Sequence, residues 1–268
     1  MIIILIVLSM AIFAPLVALH DPEKVDLGLR LLPPFSFEGS QVAYPLGTDS
    51  LGRDVFSRIV YGSQKSLLVS FSATILSTII GVTLGMIAGF YGGYLDAIIG
   101  KLADIQLAFP LILLAIAVIA VLGTSTLNLI VVFGITNWVV YAKVSRGAVL
   151  SLKEKEFVEA ARSIGAGNLR IMLLHIFPNI FPSIVVITTL SLAGTIISES
   201  SLSFLGFGVP PPHPTWGGML SEGRQYIYDG WWVATFPGLA ISLTVLGVNL
   251  FGDGLRDAYD PRLSVERL

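Results

Sequence analysis

Six long apolar runs divide the chain, with polar stretches between them. They cover about residues 2–19, 67–90, 105–122, 127–142, 180–207 and 231–251. A helix needs about 20 apolar residues to cross the hydrocarbon core of a bilayer, so each run predicts one spanning helix. The runs are continuous rather than alternating, which selects helices over a transmembrane barrel. Only Gly123-Thr124-Ser125-Thr126 joins the third and fourth runs, predicting a tight helical hairpin. The fourth run is short and holds Asn137. Residues 20–66 and 208–230 are long polar segments, the second containing the stiff run Val209-Pro210-Pro211-Pro212-His213-Pro214. The first run lacks a basic lead, and Leu19-His20-Asp21-Pro22 makes a poor cleavage site, so a retained helix is expected rather than a signal peptide.

Composition sharpens this picture. The chain is 54% hydrophobic and 13% charged, with a mean hydropathy of +0.82. A soluble domain carries roughly a quarter charged residues. The fold class expected is therefore an all-α integral membrane protein with six transmembrane helices. Six spans place both termini on one side. With that side cytoplasmic, the inner segments hold Lys101, Lys143, Arg146, Lys153, Lys155, Arg162, Arg170, Arg256, Arg262 and Arg267. The outer ones hold Lys24, Arg30, Arg53, Arg58, Lys65 and Arg224. The inner excess follows the positive-inside rule and predicts cytoplasmic termini.

Several chemistries are absent. The net charge of −2 gives no footprint for nucleic acid. Without cysteine there is no disulfide and no thiolate metal site, and His20, His175 and His213 lie too far apart in sequence to suggest a local metal spacing. No P-loop is present, since Gly100-Lys101 is followed by Leu102. No H-E-x-x-H or G-x-S-x-G motif occurs either. No catalytic residue, metal or cofactor is expected in this chain.

The loop between the fourth and fifth runs is the most informative segment. Six basic residues crowd a helix-capable stretch that lipid cannot solvate. Ser151 with Glu154 forms a potential capping box. Glu156, Ala160 and Ser163 share one face of the expected helix, and Phe157, Ala161 and Ile164 another. Gly165-Ala166-Gly167 breaks it, with Gly165 as a left-handed C-cap. Asn168 can cap a second short helix, and Pro178 marks the turn into the fifth span. Two short helices with a glycine elbow make a compact knob, whose small residues Ala160, Ala161 and Gly165 let another surface approach. Glu159 is placed to cap or anchor it. A merely solvated amphipathic loop is the plainer alternative.

Glu199 is the carboxylate that falls well inside a predicted span, a functional candidate by default. Ser198, Ser200, Ser201 and Ser203 surround it in sequence, so packing or gating stands beside solute contact. Gly47-Thr48-Asp49 and Gly52-Arg53-Asp54 suit an Asx-turn that leads into a helix, with ligand contact as the alternative. Asp253, Arg256 and Asp257 are expected to end the last helix in a hydrogen-bonded turn.

The stretch EAARSIGAGNLRIMLLHIFPN, from Glu159 to Asn179, resembles the signature loop of importer-type ATP-binding-cassette (ABC) permeases. Three further stretches resemble the second permease subunit of dipeptide and oligopeptide importers. They are PLGTDSLGRDVFSRIVYGSQKSL (Pro45–Leu67), ESSLSFLGFGVPPPHPTWGGML (Glu199–Leu220) and GVNLFGDGLRDAYDPRL (Gly247–Leu263). Together they cover most of the chain from Pro45. The start departs by lacking the charged cytoplasmic lead that such subunits often carry.

The resemblance implies a type I (MetI-like) permease fold. Residues 1–66 would be an N-terminal transmembrane helix with an extracytoplasmic segment, 67–260 the permease domain with a coupling loop at about 145–179, and 261–268 a cytoplasmic tail. It implies ATPase coupling through Glu159, Ala160, Ala161, Gly165 and Pro178. The implied partners are a homologous second permease, two cytoplasmic ATP-binding subunits that carry ATP and Mg, an extracytoplasmic solute-binding protein, and lipid of a bacterial or archaeal plasma membrane. The implied solute is a dipeptide or oligopeptide; nickel chelates, glutathione and other small solutes use similar machinery. A secondary transporter or channel would show more ionisable groups at mid-membrane or inverted repeats. An intramembrane aspartyl protease would need a second aspartate beside Asp253.

Overall fold

A computed structural model describes residues 1–35 and 37–259; the expected tail 261–268, with Arg262 and Arg267, lies outside the described residues. The described chain is helical, with one isolated β-bridge between Thr48 and Asp54. Four helical stretches are long and apolar enough to cross a membrane. They are α3 (Val55–Tyr91), the run of α6 (Thr126–Thr136) and α7 (Trp138–Leu152), the run from Asn168 to Phe204, and α12 (Trp232–Tyr259). A fifth crossing arises if α4 (Gly93–Leu107) and α5 (Leu111–Leu122), bent by 89°, count as one. The first expected span appears as α1 (Ile2–Ile12) and the short α2 (Ala14–Val17).

The departures from the expected spans have local causes. Pro15 has no N–H to give the carbonyl of Ala11, and the chain breaks at Phe13. The side chain of Gln64 donates to that Ala11 carbonyl at 2.7 Å. The third run breaks ahead of Pro110, because proline disfavours a helical residue before it. Helix α3 begins at Val55 rather than near residue 67, and α12 continues to Tyr259, so Asp253, Arg256 and Asp257 are helical rather than in a terminal turn. Run length missed both extensions because polar residues interrupt the apolar composition there.

By backbone contacts the chain divides into two compact units. One comprises Met1–Ser72, Ile116–Ile130 and Leu192–Leu250. Its core gathers Val55 and Ile59 of α3, Trp216 and Met219 of α11 (Trp216–Gly223), and Trp232 and Val233 of α12. Two indoles are satisfied within it: Trp216 Nε1 donates to the Ile59 carbonyl at 3.0 Å and Trp232 Nε1 to the Thr48 carbonyl at 2.9 Å. The Asx-turn is present, since Asp49 Oδ1 accepts from the backbone N–H of Leu51 at 2.8 Å and of Arg53 at 3.0 Å. Its other oxygen accepts from Arg53 and Arg58, and both arginines reach Glu222 at 2.7 Å. A buried charge is tolerated when it is paired and hydrogen-bonded, as in this network.

The second unit comprises Ala73–Ala115, Val131–Ser191 and the chain from Phe251. Its organising feature is a glycine seam. Gly81, Gly85 and Gly89 recur every four residues on α3 and face α7. A Cβ at these positions would lie 2.3 Å from the Trp138 oxygen, 2.4 Å from the Ala142 oxygen and 2.9 Å from the Arg146 oxygen. Small residues at this spacing let membrane helices pack backbone to backbone. Nearby, Arg146 on α7 forms an ion pair with Asp96 on α4.

Candidate functional site

The knob sits in the second unit. Helix α8 (Glu156–Ser163) buries Val158 and Ala161 and exposes the rest of its surface. Those two side chains join a core with Val82, Met86 and Phe90 of α3, Val149 of α7, and Ile171 and Ile176 that follow. Glu159 and Ala160 are exposed, so the structure separates Ala160 from Ala161: one faces outward, the other is packed. Phe157 and Ile164 do not join Ala161 in the core; Ile164 is 85% exposed.

The C-terminal elbow follows the expected geometry. Gly165 has φ +82°. Its N–H donates to the Arg162 carbonyl at 2.9 Å, and the Ala166 N–H donates to the Ala161 carbonyl at 3.0 Å. This is a Schellman motif, which satisfies the last carbonyls of α8. A left-handed residue there favours glycine because it has no Cβ to clash.

Three local expectations are corrected. Ser151 lies inside α7, and α8 has Lys155 at its N-cap with no side-chain cap, so there is no capping box with Glu154. Gly167, not Asn168, precedes the short helix α9 (Asn168–Arg170). Pro178 lies inside helix α10 (Phe177–Phe204) and makes no turn there. Ahead of it, Ile171–Ile176 form a π-helix in which the Phe177 N–H donates to the Met172 carbonyl. The wider π turn gives the Pro178 ring room that an α turn denies. Glu159 lies in the first turn of α8, where the helix dipole favours an acid. Its carbonyl accepts from Ser163 Oγ at 3.0 Å.

Glu199 belongs to the first unit and is fully buried. Ser203 Oγ donates to its Oε1 at 2.8 Å, while Oε2 has no partner among the described residues. Ser198 and Ser201 instead donate to carbonyls of their own helix, of Gly194 and Ile197. Ser203 makes the clear hydrogen bond to the carboxyl, and Ser66 and Ser200 also lie close to it. Ser203 also lines a cavity of about 260 Å³ beneath the proline run, shared with Arg58, Thr215, Ser221 and Glu222. A larger cleft of about 610 Å³ in the same unit is lined by His20, Lys65 and His213. Among the described residues no group of three His, Cys, Asp or Glu is placed to hold a metal ion. Among the described residues the arrangement pairs an exposed helix surface on α8 with a buried polar cluster around Glu199.

Three residues that sequence reasoning passed over belong to the knob's surroundings. Arg162 of α8 places its guanidinium 5.7 Å from the centre of the Phe90 ring. Lys153 Nζ donates to the Gly89 carbonyl at 3.3 Å. Phe90 carried no sequence signal, being one apolar residue within an apolar run.

Comparison with known proteins gives consistent results. Residues 81–265 match the family described as binding-protein-dependent transport system inner membrane component. The chain is 43% identical over 259 residues to the di/tripeptide transport system permease protein of Pseudomonas aeruginosa (strain UCBPP-PA14), covering 97% of this chain and 86% of that protein. It is 46% identical over 264 residues to the glutathione transport system permease protein of Escherichia coli O6:K15:H31 (strain 536 / UPEC), covering 97% and 84%. Among solved structures, a chain of the MetNI methionine ABC transporter in an inward-facing conformation superposes with a TM-score of 0.62 at 19% identity, covering 76% of this chain and 98% of that one.

Proposed function

The chain belongs to the family of binding-protein-dependent transport system inner membrane components, and from that premise we propose that it imports short peptides and is driven through the knob at Glu159–Gly165. It is a permease component of an ABC importer and not an enzyme; the ATPase is a separate subunit. The peptide assignment draws on relatives named for di/tripeptide and for glutathione transport, whose common denominator is a short peptide. Glutathione itself is the second reading, supported by the relative that bears its name.

The single observation that carries the coupling role is the division of α8. One side, Val158 and Ala161, is locked into the membrane-helix core, and the other presents Glu159, Ala160 and the Gly165 elbow to solvent. Such a surface can be gripped from outside while its movement is felt inside. Pro178, beyond the π turn, ties the same loop to α10. The partners are two cytoplasmic ATP-binding subunits, which hold ATP and Mg, an extracytoplasmic solute-binding protein and a homologous second permease. Of the small residues Ser191, Ala193, Gly194 and Ser198 on α10, Ala193 is buried within this chain, while the exposed Gly194 with Ser198 suits the second permease, because small residues allow close helix approach. The membrane is a bacterial or archaeal plasma membrane with both termini cytoplasmic. Transport is alternating access: ATP closes the nucleotide-binding subunits, the knob moves with them, and the spans rearrange. Glu199 serves packing or gating rather than covalent chemistry.

The test is Gly165→Val in the reconstituted complex. A β-branched residue at φ +82° is strained, with open space around it, so the knob distorts without a core clash. ATP hydrolysis is expected to uncouple from uptake of a labelled dipeptide while membrane insertion survives. Normal hydrolysis and normal uptake in this variant contradict the assignment.

A further inference from the structure

The knob is not held by its buried pair alone. Two cations flank that pair, and both reach the last turn of α3. Lys153, just before α8, donates to the Gly89 carbonyl, and Arg162, near the end of α8, stacks on the Phe90 ring. Helix α3 ends at Tyr91, so both cations meet its C-terminal end, where unpaired carbonyls and the macrodipole favour positive charge. Phe90 is 7% exposed and packs in the same core as Val158 and Ala161. Its ring thus belongs to the core that holds the knob's buried pair, lies within cation–π distance of Arg162, and meets Tyr91 edge-on.

We propose that Phe90, clamped by Arg162 and Lys153, is the residue through which displacement of the knob is passed to α3. The proposal rests on the reading of the knob as the ATPase contact. Its reasoning is mechanical. The chain connects the knob covalently to α7 on one side and, through the π turn, to α10 on the other. Helix α3 has no such covalent link and is reached through non-covalent contacts: the shared core, the Arg162–Phe90 contact and the Lys153 hydrogen bond. If the knob slid over Phe90, α3 would be held only by its glycine seam on α7 and by the apolar core. The clamp adds two directional contacts that resist sliding: a cation–π contact and a hydrogen bond to a helix-terminal carbonyl. Arg162 and Lys153 are positioning residues that hold the ring to the knob.

The experiment uses the whole complex, reconstituted in vesicles, with ATP hydrolysis and dipeptide uptake read from the same preparation. The variants are Phe90→Leu, Arg162→Gln, Arg162→Lys and the pair Phe90→Leu with Arg162→Gln. Solute moved per ATP is expected to fall about three- to tenfold in Phe90→Leu and in Arg162→Gln, the range a cation–π contact supports. Arg162→Lys should restore most of it, and the double variant should be no worse than the more affected single one. Co-purification of the ATP-binding subunits should stay unchanged throughout. Wild-type solute per ATP in Arg162→Gln overturns the clamp; because that side chain is exposed, this readout survives even if Phe90→Leu fails to assemble. Additive losses in the double variant, or no rescue by lysine, also overturn it. Gly165→Val is run in parallel: if it leaves both activities normal, the coupling reading fails, whereas a Gly165→Val defect with intact clamp variants sinks the clamp alone.

Discussion

Arg58 and Glu222 stand 164 positions apart in sequence and meet through two hydrogen bonds, Nη1 to Oε2 at 2.7 Å and Nη2 to Oε1 at 3.2 Å. The arginine side chain is 2% exposed and the glutamate 37%. Removing Glu222 leaves a buried guanidinium that must share Asp49 with Arg53. Glu222→Ala should cost about 1–3 kcal/mol, less than a fully unpaired buried charge because Asp49 remains. A melting curve of the detergent-purified complex checks this. An unchanged melting temperature means that the network holds nothing together.

The glycine seam predicts a sharp contrast between two glycines. Gly85→Val drives a side chain into the Ala142 backbone, with the first added carbon 2.4 Å from its oxygen. The α3–α7 packing should fail, with loss of folded protein in size-exclusion profiles. Gly100, inside α4, has nothing within 4 Å of its added carbon. Gly100→Ala should be neutral or stabilise by up to about 1 kcal/mol, the difference in helix propensity. Equal tolerance of the two changes would contradict close helix contact at the seam.

Much of this was legible in the sequence where composition and backbone chemistry act locally. The apolar runs marked the membrane helices, and Gly165 announced its left-handed cap, because a helix that must stop abruptly favours a residue without a Cβ. The capping box at Ser151 failed because packing overrides propensity: Val149 is fully buried, so α7 runs on past Ser151 to Leu152. Pro178 misled because a π turn upstream absorbs the proline. Partnerships at long range were illegible. Nothing in the sequence pairs Arg58 with Glu222, or Arg162 with Phe90, since each depends on how distant helices are placed.

Glu199 separates packing from solute contact by a conservative change. Glu199→Gln keeps an acceptor for Ser203, and no cation pairs with the carboxyl among the described residues. Stability and uptake should both stay close to wild type. Glu199→Leu leaves Ser203 without its acceptor and should cost about 1–3 kcal/mol of stability. If Glu199→Gln abolishes uptake while the complex stays as stable as wild type, the carboxylate contacts solute or proton and the packing role is wrong.

The chain has no cysteine, so a single engineered one is a clean topological probe. An impermeant maleimide applied to intact spheroplasts should label Ser40→Cys and spare Lys155→Cys. The reverse pattern would invert the orientation and put the knob on the wrong side for an ATPase.

The most direct test places a cysteine at Ser163, exposed on α8 beside the Gly165 elbow, and one in the groove of the ATP-binding subunit. Oxidation of the assembled transporter should join the two chains in high yield and block dipeptide uptake, with reduction restoring it. A control cysteine at Tyr94, exposed at the start of α4, should not cross-link. If Ser163→Cys forms no cross-link to any residue of the ATP-binding subunit while the same complex imports peptide at the wild-type rate, the knob is not the seat of the ATPase.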